Sequence, residues 1–239
     1  MDSSLLPFSR GRSTWLVITA IFALSAVLLS LVLFLHFTQG IPIGDMVRDP
    51  TAVAGVSIYV GFLSQFGIFF WAGAATLCLF SMLILPRTPA NTEARRFLMV
   101  SGLLSLTLGF DDVFLLHEAF FPHIGIPELA VFAAYGVFVA YYLVRFHKTI
   151  LRTEYVLLVI ALGFFAVSVL FDLLDPPGLD PDFWEDGAKV VGIVAWATYF
   201  LRTCHEMVGH KASLKSPSVA PEGATHQFAG RVPAASLKR

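Results

Sequence analysis

Tyr155-Val-Leu-Leu-Val-Ile-Ala-Leu-Gly-Phe-Phe-Ala-Val-Ser-Val-Leu-Phe-Asp-Leu-Leu174 runs for 20 residues with one charge, Asp172. As a helix it is about 30 Å long, the thickness of a bilayer's hydrocarbon core. The rest of the chain has the same character. Of 239 residues, 56% are hydrophobic and 14% charged, with 23 Phe, and the mean hydropathy is +0.75. A soluble domain carries roughly a quarter charged residues. Disorder over most of the chain is excluded by its apolar content. Two cysteines, Cys78 and Cys204, cannot frame a disulfide scaffold. A net charge of -1 gives no bulk attraction to nucleic acid.

Six stretches reach or approach spanning length, at about residues 14–36, 56–85, 97–120, 129–146, 155–174 and 183–203. They predict an all-α, polytopic transmembrane helical bundle. The first has an apolar core about twice as long as a signal peptide's and no small-residue cleavage site after it, so it reads as a retained anchor. The expected organisation is a cytoplasmic segment 1–13, a six-helix domain 14–206 and a tail 207–239. That tail is rich in Ser, Pro, Ala, Lys and Gly without apolar periodicity, which predicts disorder.

Charge gives the direction. Of the 16 Lys and Arg, only Arg48 and Lys189 fall on one side of this arrangement or in its half of the spans. The other 14 accompany both termini and the loops 87–96 and 146–152. The positive-inside rule then puts both termini in the cytoplasm of a cell-membrane protein.

The chemistry is concentrated in Gly109-Phe-Asp-Asp-Val-Phe-Leu-Leu-His-Glu118. With the inner boundary at Phe97, Asp111 and Asp112 lie only about 6–8 Å outside the midplane. A carboxylate there is costly unless it is paired, protonated, metal-bound or facing water. The two point about 100° apart, so one escape to lipid cannot serve both. His117 and Glu118 lie about two turns further out. On the sixth span Lys189 is about 3 Å from the midplane, with Glu185 and Asp186 about 7–9 Å out. Asp172 on the fifth comes out at about 10 Å. Three helices thus bring ionisable groups to one depth band. Thr107, Asp111 and Glu118 share one helical stripe, and Ser101, Ser105 and Asp112 a neighbouring one. Turned inward, these stripes define a candidate ion or proton site of Asp111, Asp112, His117, Glu118, Asp172, Glu185, Asp186 and Lys189. Lys189 has two competing sets of partners, the facing carboxylates or its own helix's Glu185 and Asp186. Gly102 and Gly109 on one face, and Ala188-x-x-x-Gly192, predict close helix approach.

Three functions are compatible with such a site. Ionisable chains inside membranes build proton relays and coupled transporters, and acid-rich outer loops concentrate cations at a mouth. Cation or proton handling is therefore the leading reading. A metal-dependent intramembrane enzyme acting on a lipid is the second. Its ligands would be Asp111, Asp112, His117 and Glu118, a set suited to Mn²⁺, Mg²⁺ or Ca²⁺ and less to Zn²⁺. The chain shares some features with the intramembrane metal hydrolases that include alkaline ceramidases and progestin-type receptors. Those place three metal-binding His across a seven-helix bundle, whereas His205 and His210 here lie at the cytoplasmic end, far from His117. Lys189 beside acids in the last span suggests a rhodopsin, but six spans and a Lys within a Glu-Asp pair argue against retinal. The third reading is structural, with the buried charges fixing helix register in a larger assembly. The expected partners are membrane lipids and either a second copy or a larger membrane complex. Asp175-Pro-Pro-Gly-Leu-Asp-Pro-Asp-Phe-Trp-Glu-Asp186 is acidic and proline-stiffened, as a Ca²⁺ loop would be, without EF-hand spacing.

Overall fold

A computed structural model of the chain describes residues 12–174 and 180–213. Every regular element among them is helical: α1 (Arg12–Gln39), α2 (Ile43–Val47), α3 (Pro50–Ala54), α4 (Phe62–Ile84), α5 (Thr92–Phe114), α6 (Phe121–His123), α7 (Glu128–Ile150), α8 (Tyr155–Leu174) and α9 (Pro181–Ser213). Five helices are long and apolar enough to cross a membrane: Thr14–Gln39, Phe62–Ile84, Pro89–Phe114, Glu128–Ile150 and Tyr155–Leu174. The expected sixth span lies inside α9, a continuous helix. Glu185, Asp186, Lys189 and Arg202 interrupt its apolar run, and it is not among those five.

The described chain divides between Phe62 and Leu63 into two compact units. The first holds α1 to α3. Helix α1 is apolar on all sides and exposed along its length, the pattern of a helix whose solvent is lipid. The expected second span, from 56, is shorter than predicted. Gly55 (φ +65) and Gly61 (φ +69) take left-handed turns before α4 can start, which glycine allows without a Cβ clash.

The second unit is a bundle of α4, α5, α7, α8 and α9 around Trp71, Phe97, Tyr142, Leu158, Trp196 and Phe200. Its glycines act as predicted. A Cβ on Gly102 would lie 2.7 Å from Leu79 Cγ, one on Gly109 2.9 Å from Trp71 Cβ, and one on Gly192 2.6 Å from the Phe165 ring. Helices α4 and α5 therefore meet through Gly102 and Gly109, and α8 and α9 through Gly192. The Ser101 and Ser105 hydroxyls each donate to the carbonyl four residues back. Each then accepts from another helix, from Tyr142 O–H at 2.8 Å and from Trp196 Nε1 at 2.9 Å. The inward stripe is fully hydrogen-bonded there.

The arginine-rich helix ends come together at one end of this unit. Arg145 on α7 makes a two-pronged pair with Glu93 on α5, at 2.6 and 3.2 Å. Arg202 on α9 does the same with Glu154, between α7 and α8. That hydrogen bonding holds the Glu154 carboxyl below the usual carboxylate range. Arg95 donates to the carbonyls of Met82 and Leu85, capping the C-terminus of α4. The last helix continues to Ser213, past the expected start of the tail at 207. Residues 214–239 of that tail, most of the segment 1–13 and residues 175–179 of the acidic loop lie outside the described residues.

Candidate functional site

Helix α5 stops at Phe114, and that stop creates the site. Leu115 adopts a left-handed conformation (φ 48, ψ 48), the one non-glycine residue with positive φ among those described. Its N–H returns to the Asp111 carbonyl, and a single π-helical turn, Leu116–Phe120, follows. In an unbroken helix, residues six apart point to different sides. The break folds the chain back so that His117 covers Asp111.

Asp111 then accepts from three donors. His117 N–H is 3.0 Å from Oδ1, Tyr135 O–H on α7 is 2.8 Å from the same oxygen, and His117 Nδ1 contacts Oδ2. Both side chains are largely enclosed, with 7% of Asp111 and 12% of His117 exposed. Phe132 lies against the imidazole, ring centroids 5.2 Å apart. The carboxylate occupies Nδ1, so Nε2 is the ring nitrogen turned away from Asp111.

Asp112 turns the other way. Trp71 Nε1 on α4 donates to Oδ2 at 2.7 Å, and Lys189 Nζ on α9 lies 2.8 Å from Oδ1. One carboxylate thus ties three helices together. Lys189 passes over its own helix neighbours for this pair, although Glu185 and Asp186 remain close enough to add attraction.

The other expected members form a looser acidic surround. Glu185 is within electrostatic reach of Asp172, Asp186, Lys189 and Glu118. Glu128, at the start of α7, is in reach of Asp172, His117, Glu118 and Asp111. Glu118 and Asp186 are exposed, and Asp172 and Glu185 half-buried. The structure therefore brings the eight predicted residues into one neighbourhood, but as two separate closed pairs with acids around them. Among the described residues, no three His, Cys, Asp or Glu side chains converge as a metal-ligating group. The four-residue metal set is divided, since Asp111 and His117 engage each other while Asp112 is taken by Lys189 and Trp71.

Three participants were not visible in the sequence. Tyr135, Trp71 and Glu128 are outside the expected site set. A polar tip on a buried aromatic usually finds a partner, and nothing along the chain says which. The cysteines are both buried and reduced.

Fold and site together define an all-α protein with five helices long and apolar enough to cross a membrane and a buried His–Asp pair. The chain belongs to the family described as Domain of unknown function (DUF8692), whose model matches residues 12–203. No curated protein matches it, and no solved structure does.

Proposed function

We propose that this protein crosses the cell membrane six times, with both termini cytoplasmic, and relays protons across it by way of Asp111–His117. The observation that carries this reading is the Asp111–His117 contact, enclosed by the bundle yet still 12% exposed at the imidazole. Histidine is the side chain whose ordinary range lies nearest neutral pH. A carboxylate held by Tyr135 and the His117 amide leaves the imidazole as the group that gains and loses the proton. Glu118, Glu128, Asp172, Glu185 and Asp186 around it favour cations, protons among them. The clustering of arginines at the other end supports the orientation. Residues 14–206 then form the membrane domain and 207–239 a cytoplasmic tail.

The test is proton flux into proteoliposomes, followed by an enclosed pH-sensitive dye. Wild type should acidify the lumen down an imposed gradient, and His117→Gln and Asp111→Asn should abolish this while melting near wild type. Flux equal to that of empty vesicles, or unchanged in His117→Gln, overturns the reading.

A structural role is favoured by a different observation. Asp112 joins α4, α5 and α9 through Trp71 and Lys189, which suits an anchor of helix register better than an exchanging group. A metal-dependent enzyme draws less support from the divided donor set.

A further inference from the structure

A groove of about 650 Å³ runs along the seam between α5 and α7. One end carries Arg96 and Arg145, and the other reaches Thr107 and Tyr135. From Arg96 to Thr107 the helix rises about 16 Å, close to half of a bilayer's hydrocarbon core. The groove therefore has the length of one leaflet. Its walls are apolar, and Met99, Leu103, Phe138 and Tyr141 are between 40% and 65% exposed along it, so it opens sideways.

Its charged end is net basic. Glu93 engages Arg145, while Arg96 is exposed and makes no ion pair among the described residues. An adjoining hollow shares Arg96 and Met99 and adds Arg87 and Arg95. Arginine clusters at the headgroup level beside a seam between membrane helices suit the phosphate of an anionic lipid.

We propose that this groove holds one anionic glycerophospholipid of the cytoplasmic leaflet. Its phosphate lies between Arg96 and Arg145, and one acyl chain follows α5 and α7 towards Tyr135. A neutral zwitterionic lipid satisfies the apolar walls equally but gains less from the arginines. A second copy of the chain would bring its own apolar helix and no phosphate.

The test is native mass spectrometry of the full-length protein in detergent, titrated with phosphatidylglycerol or phosphatidylcholine. Phosphatidylglycerol should be retained as a single adduct, with at least about fivefold preference over phosphatidylcholine, the increment of one arginine near the headgroups. Arg96→Gln should remove that preference. Ala134→Trp, which fills the groove from an exposed position, should remove the adduct. Glycerol phosphate at the same concentration should not displace the lipid. Equal retention of the two lipids overturns the proposal. So does a preference that survives both variants, displacement by glycerol phosphate, or a dimer that binds no lipid. Arg96 is exposed and outside every ion pair described, so Arg96→Gln reads the site even where Arg145→Gln fails to fold.

Discussion

Lys189 Nζ lies 2.8 Å from Asp112 Oδ1 on a facing helix, although Glu185 and Asp186 stand one turn before it on its own. The choice follows from enclosure. Only 9% of the Asp112 side chain is exposed, whereas Asp186 is open to solvent. An ionised group inside a bundle loses its hydration and must recover it from a partner, while an exposed acid keeps its water.

Removing one member of that pair leaves the other uncompensated. Asp112→Asn is expected to cost up to about 3–5 kcal/mol, reduced by the water that reaches Lys189, which is 30% exposed. Asp112→Asn combined with Lys189→Met should recover much of the loss. Thermal melting of the four species in one detergent gives the coupling directly, and additive single effects would show that the pair is not stabilising.

The turn at Leu115 makes a backbone prediction. A left-handed L-residue is strained by roughly 1–2 kcal/mol, which glycine escapes at the expense of a more flexible unfolded chain. Leu115→Gly should therefore melt within about 1 kcal/mol of wild type. Leu115→Pro cannot adopt φ 48 and should lose about 3 kcal/mol or more, together with the covering of Asp111 by His117. A proline variant as stable as wild type would contradict the strain argument.

Helix approach predicts a steric effect at Gly192. The added Cβ of Gly192→Ala would meet the Phe165 ring at 2.6 Å and the Ala161 carbonyl at 3.2 Å. The ring must move and the backbone cannot, so a loss of about 1–3 kcal/mol is expected. Gly136, with nothing within 4 Å of its Cβ position, is the control: Gly136→Ala should be neutral or stabilising, since alanine is the better helix former.

The Glu154–Arg202 pair sets a pH dependence at the arginine-rich end. Arg202 lowers the folded-state pKa of Glu154, so the folded state binds this proton less readily than the unfolded one. The stabilisation is present above the unfolded value, about 4.3, and fades as pH falls through the depressed folded value. The melting difference between wild type and Glu154→Gln should therefore be small and positive near pH 7 and shrink below about pH 4. Because the pair is exposed, it should also shrink in high salt. A difference that grows with acidity would reverse the assignment.

Much of the fold was legible because it follows from local arithmetic. Apolar length decides whether a helix can span, and a period of 3.6 residues decides which side chains share a stripe. Those rules located α1, α4, α5, α7 and α8, turned Ser101, Ser105 and Asp112 inward, and identified Gly102, Gly109 and Gly192 as places of close contact. Depth along a helix needs only the rise per residue, which is why Asp112 and Lys189, on different helices, could be expected within reach of each other.

The partners within that neighbourhood were decided by tertiary structure. His117 reaches Asp111 only because Leu115 leaves the right-handed helix, which no leucine side chain announces. Lys189 takes Asp112, and Tyr135 and Trp71 become donors, only because of how each helix is rotated about its axis against the next. That rotation is the joint outcome of packing over the whole interface. Hydrophobic period and span length are properties of one helix at a time, whereas the pairing of buried charges depends on several helices at once.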